Sequence, residues 1–186
     1  MTIVRKIAYN TIVSAGARII AVALSLVGLG FITRYLGKEG VGNYSLILAF
    51  LFIFNILADL GLYSLMTREI SRPGADEKKI ASNIFTIRIV ALLVFLGLAI
   101  ILVWFFPYTS QVKLGVVIAS ISYLFLSASQ VLMGVFQKYL RIDKAGFADV
   151  IGRLIQLGLV IIFIHFNLGF FSILLALIIS CAGNFI

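Results

Sequence analysis

Charged residues make up only 12% of this 186-residue sequence, and the acidic ones number seven. A soluble domain carries about a quarter of its residues as Asp, Glu, Lys and Arg, so this chain lacks the polar surface that keeps a globular domain in water. Proline occurs twice, and cysteine, histidine and tryptophan once each. With Cys181 alone there is no intrachain disulfide, and its place in an apolar run makes it a small packing residue. With His165 alone there is no Ser/His/Asp set, and no His/Cys cluster has metal spacing. The phosphate-loop pattern G-x-x-x-x-G-K-[ST] is absent, as are paired carboxylates suited to sugar chemistry. No catalytic residue, no resident metal and no cofactor are expected, and the chain is read as something other than an enzyme.

What the chain has in abundance is apolar length. Hydrophobic residues are 62% of it and the mean hydropathy is +1.18, more than a fold of this size can bury. Only helices or closed barrels satisfy the backbone in lipid. Apolar runs of about twenty residues without two-residue alternation select helices, so the fold class is all-α, a polytopic membrane helix bundle. The net charge of +8 does not signal nucleic acid, because the bases flank or interrupt the apolar runs; membrane lipids are the expected partners.

Hydropathy places six spans, at about 11–34, 43–66, 80–106, 114–137, 147–166 and 168–186. The first is read as an uncleaved helix and not a signal peptide, since Arg18 and a further apolar stretch follow Ala15-Gly16-Ala17. Arg5, Lys6, Arg68, Arg72, Lys78, Lys79, Lys138, Arg141 and Lys144 fall on one side of the bundle, and Arg34, Lys38 and Lys113 on the other. Nine bases against three put the N-terminus in the cytoplasm of a cell (inner) membrane protein. The sixth run reaches Ile186 with no stop signal, which is the expectation for one lobe of a longer molecule that inserts but does not transport alone.

The first two spans enclose the stretch around which the rest is arranged. Gly37, Gly40 and Gly42 are expected to turn the chain with positive φ, Asp59 sits inside the second span, and Arg68, Glu69 and Arg72 gather past its end. In Arg34-Tyr35-Leu36-Gly37, Gly40-Val41-Gly42-Asn43-Tyr44, Asp59-Leu60-Gly61-Leu62 and Thr67-Arg68-Glu69-Ile70-Ser71-Arg72 the chain resembles the polysaccharide-biosynthesis membrane proteins. These are Wzx-type lipid-linked oligosaccharide flippases of the multidrug/oligosaccharidyl-lipid/polysaccharide exporter superfamily. The resemblance implies a two-lobed exporter of twelve or more spans, of which 1–186 is the N-terminal six-helix lobe and a C-terminal lobe the partner. Other polysaccharide-assembly proteins are further implied partners.

Polar residues inside the spans are the candidate site. Arginine at the centre of a membrane helix costs about 2.5–3.5 kcal/mol on insertion scales, so Arg18, Arg88 and Arg153 are expected to face protein or water, at a shared level in the cytoplasmic half. Thr11, Ser14, Arg18 and Ser25 share a face of the first span, Asn55, Asp59 and Tyr63 one of the second, and Asp149, Arg153 and Gln156 one of the fifth. Ser120, Tyr123, Ser127, Gln130, Gly134 and Gln137 form a stripe along the fourth. Arg88 has no polar face of its own, being flanked by Ile84 and Leu92. Such a stripe serves either a cavity or helix packing, the arginines either contact substrate or snorkel, and Asp59 and Asp149 are ion-pair or coupling residues. The resemblance implies that an undecaprenyl-pyrophosphate-linked oligosaccharide meets Arg18, Arg88, Arg153, Ser120, Tyr123, Ser127 and Gln130 while passing from the cytoplasmic to the outer leaflet. The alternatives are a drug or cation antiporter, which would favour carboxylates over arginines, and a membrane glycan polymerase or ligase, which would need a large outer loop.

Overall fold

The structure, a computed structural model, describes the backbone of residues 3–72, 74, 76–138 and 142–183, and side chains within these from 12 to 130 and from 146 to 183. Among the described residues there are six helices and no strand: α1 Ile3–Asp59, α2 Leu62–Ile70, α3 Glu77–Val103, α4 Ser110–Lys138, α5 Ile142–His165 and α6 Phe170–Gly183. The fold is an all-α bundle.

The first two expected spans both lie in α1. Its helical path is interrupted at Gly37, with φ 67° and ψ −175°, a backbone combination reached essentially by glycine alone. Leu24 and Leu48 line one cleft, whereas a straight helix would hold them roughly 36 Å apart. The chain therefore doubles back at Gly37 into a first arm (residues 3–36) and a second arm (38–59). Only Gly37 of the three glycines turns with positive φ, which corrects the expectation for Gly40 and Gly42. Both of those are helical. Gly40 serves close approach, since a Cβ there would stand 2.8 Å from that of Leu36, while Gly42 faces open space.

A second interruption, at Leu60 (φ 40°) and Gly61 (φ 81°), ends the second arm at Asp59. The expected span 43–66 runs through this point because hydropathy is blind to it: left-handed residues stop a helix whatever their polarity. Tyr63 accordingly belongs to α2, not to the helix carrying Asn55 and Asp59. α2 buries Met66 and Ile70 against Ile84 of α3.

The second arm is the centre of the bundle. Tyr44, Ile47, Leu51, Phe54 and Ala58 recur at steps of three and four and are all buried, packing with Leu92 and Ala99 of α3, Val116 and Ala119 of α4, and Ile173 and Leu174 of α6. Contact with α4 is close enough that a Cβ on Gly115 would overlap Ile47. Near the Gly37 end, Tyr35 Oη accepts the Gly169 N–H at 2.9 Å and Asn43 Nδ2 donates to Gln111 Oε1 at 3.2 Å. These bonds tie the first reversal to the turn before α6 and the start of α4.

Ile12–Asp59, Glu77–Val103, Ser110–Gln130 and Gly146–His165 are long and apolar enough to cross a membrane, and α6 is a shorter apolar helix. Because α1 reverses, each of its arms has crossing length: about 25 residues for 12–36 and about 22 for 38–59. Large apolar side chains such as Ile19, Leu26 and Val94 are more than 60% exposed, as suits a lipid-facing surface. The chain is a multi-pass membrane protein.

Candidate functional site

The arginine without a polar face of its own is the best satisfied of the three. Arg88 is 2% exposed, and its guanidinium donates from Nε to Ser127 Oγ at 2.7 Å and from Nη2 to Gln130 Oε1, while Nη1 lies 2.9 Å from Asp59 Oδ1. Ser127 and Gln130, three residues apart, present their oxygens from one face of α4. Asp59 is the last residue of the second arm, at the negative end of the helix dipole, where a cation is favoured. Arg88 thus binds three helices together at one point. The missing signal in the sequence was that its polar neighbours come from other helices, so periodicity within α3 cannot show them.

The rest of the α4 stripe is also occupied inside the bundle. Tyr123 Oη donates to the Leu48 carbonyl at 3.0 Å, and Ser120 Oγ returns to the Val117 carbonyl at 2.7 Å. Ser120, Tyr123 and Ser127 are buried. From Ser120 to Gln130 the stripe is a seam between α4, α3 and the second arm; the surroundings of Gly134 and the side chain of Gln137 lie outside the described residues.

Arg153 has a different setting. Its Nε is 3.5 Å from Asp149 Oδ1 and its Nη1 donates to Gln156 Oε1 at 3.4 Å, as the spacing along α5 foretells. It lines a cleft of about 220 Å³ between the two arms of α1 and α5. Ser25, Tyr44 and Gln156 supply the other polar groups; Leu24, Leu29, Ile32, Leu48, Leu157 and Val160 are among the apolar ones. Ser25 Oγ donates to the Ala21 carbonyl at 2.8 Å. Tyr44 is 6% exposed.

Arg18 stands apart from both. Ala17 and Ala21 face inward, and at Gly146 the first arm meets α5 so closely that an added Cβ would lie 3.0 Å from that of Ala17. Arg18 is one residue round from Ala17, on the exposed flank. Among the described residues it makes no ion pair or side-chain hydrogen bond, and Asp59 pairs with Arg88 instead. The side chain of Thr11 lies outside the described residues. Ser14 Oγ and Asn55 Oδ1 are buried without a hydrogen-bond partner among those described.

No described hydrogen bond or ion pair joins the three arginines: Arg88 pairs with Asp59 and Arg153 with Asp149. Among the described residues no group of three His, Cys, Asp or Glu is placed to hold a metal ion.

Residues 7–186 match the family model described as "Polysaccharide biosynthesis protein". The match covers nearly the whole chain, and the chain belongs to that family. No curated protein and no solved structure matches it significantly.

Proposed function

We propose that this chain is the N-terminal lobe of a flippase that moves a lipid-linked, pyrophosphate-bearing oligosaccharide from the cytoplasmic to the outer leaflet of the cell (inner) membrane. The observation that carries the reading is the division of labour among intramembrane charges. Asp59 is consumed by Arg88 and Asp149 sits beside Arg153, which leaves Arg18 as a cation without a described counter-ion, within a membrane-crossing arm. A cation in that position attracts an anion; the planar guanidinium matches a pyrophosphate through paired N–H donors. A cation antiporter would be served by free carboxylates, and both described intramembrane acids stand next to arginines. Among the described residues no catalytic constellation supports a glycan polymerase or ligase.

In this reading Arg18 meets the pyrophosphate, the Arg153 cleft meets the glycan, and Arg88 with Ser127 and Gln130 holds the lobe together. Tyr123 and Ser120 contribute to the same seam. A second, C-terminal lobe completes the enclosure, and the N-terminus is cytoplasmic. The test is complementation by the whole encoded protein in cells lacking it, scored for surface glycan and for membrane abundance. Arg18→Ala should nearly abolish export at normal abundance, and Arg18→Lys should retain part of it. Full export by Arg18→Ala at normal abundance would overturn the assignment.

A further inference from the structure

Where α2 gives way to α3, exposed side chains change character in step on both helices. Met66 and Ile70 of α2 share one small buried cluster with Ile84 of α3, Ile80 packs against it, and only residues 71–76 join the two helices, which therefore form a hairpin. On the outside of α2, Leu65 and Arg68 lie three residues apart on one stripe, and Arg72 follows just past the C-terminus. On α3, Lys78, Ser82 and Phe85 form one row and Lys79, Asn83 and Ile87 another. Every one of these side chains is exposed. Each row is apolar toward the middle of the bundle and cationic toward the turn, the order expected of a helix that leaves hydrocarbon for the headgroup layer.

The charges at this corner do not cancel one another. Glu69 is taken by Arg72 at 2.7 Å, and Asp76, as N-cap of α3, accepts the Lys79 backbone N–H at 3.1 Å. Arg68, Lys78 and Lys79 make no side-chain ion pair among the described residues. Beside them Leu65, Phe85 and Ile87 are 48%, 38% and 54% exposed. Three cations without a described acid thus border apolar surface without a protein cover.

We propose that the α2–α3 corner is a binding surface for anionic phospholipid, with phosphate among Arg68, Lys78 and Lys79 and acyl chains along Leu65, Phe85 and Ile87. It is separate from Arg18 and from the Arg153 cleft, and it does not depend on the flippase reading. Charge complementarity chooses the headgroup, because a zwitterionic lipid brings an ammonium that the three bases repel and an anionic one does not. The apolar rows choose a lipid over free phosphate or nucleic acid, which would leave them uncovered. Each base near an anionic surface strengthens attraction roughly fivefold. Three together make the corner selective.

The test places the whole encoded protein in phosphatidylcholine liposomes doped with a trace of either phosphatidylglycerol or phosphatidylcholine that carries a diazirine in its acyl chain. After illumination the labelled peptides are mapped. Adducts within residues 62–87 should favour phosphatidylglycerol by at least about tenfold, whereas adducts on the exposed apolar Leu93, Val94 and Leu98 should show no preference. The triple variant Arg68→Gln/Lys78→Gln/Lys79→Gln should erase the preference at the corner without changing the unfolding temperature in pure phosphatidylcholine. Lys78→Arg/Lys79→Arg, which keeps the charge, should preserve it. Equal labelling by the two lipids, or a preference that survives the triple variant, would overturn the proposal. So would loss of the labelling when millimolar inorganic phosphate or an oligonucleotide is added, since that marks a bare anion patch instead of a lipid surface.

Discussion

Nη1 of Arg88 lies 2.9 Å from Oδ1 of Asp59, joining the middle of α3 to the last residue of the second arm, immediately before the left-handed pair Leu60–Gly61. The arm ends where its acid is held. Removing one member of a buried pair leaves the other unmet and costs about 3–5 kcal/mol; Asp59 is partly exposed, which puts its deletion at the low end. Arg88→Met should lower thermal stability in detergent more than Asp59→Asn does, because it also strands Ser127 and Gln130. The double variant Arg88→Met/Asp59→Asn should be more stable than the sum of its singles predicts. Strict additivity in the double-mutant cycle would argue against a direct pair.

Gly37 and Gly42 look alike in the glycine-rich turn but differ in backbone. Gly37→Ala forces a side chain into a conformation that costs about 1–3 kcal/mol, so reduced membrane abundance and a lower unfolding temperature are expected. Gly42→Ala adds a Cβ into open space in a helix and should leave both unchanged or slightly raised. Equal effects at the two positions would refute the single-residue reversal.

At the Gly115–Ile47 crossing the two helices leave no room for a methyl group. Ile47 is fully buried and has little space to yield, so Gly115→Ala should cost about 1–3 kcal/mol by overpacking. Ile47→Val in the same chain should restore part of the loss. Thermal unfolding of the two singles and the double measures it, and a stabilising Gly115→Ala would disprove the tight contact.

Orientation follows from the basic residues and is checked by chemical labelling. In a background with Cys181→Ala, a cysteine placed at Lys78 should react with an impermeant maleimide only after the cytoplasmic face is exposed. One placed at Lys38 should react in intact cells. The reverse pattern would invert the bundle and with it the direction proposed for transport.

The sequence by itself determined the membrane helix bundle, since 62% hydrophobic residues in twenty-residue runs leave no other way to satisfy the backbone in lipid. It also determined contacts within one helix: Asp149, Arg153 and Gln156 come together at their three- and four-residue spacing, as α5 geometry demands. Only the tertiary structure decided which of the three arginines was buried with an acid. That choice depends on α3, α4 and the second arm meeting at Asp59, Ser127 and Gln130, residues about 30 to 40 positions from Arg88 in the sequence. It also decided that Gly37 alone makes the reversal and that Leu60–Gly61 stops the second arm, because hydropathy records the cost of water contact and not the sign of φ. Tyr44 shows both limits at once: its place in the glycine-rich motif was legible, but its position on a cleft was not, since the opposite wall comes from α5, more than a hundred residues away.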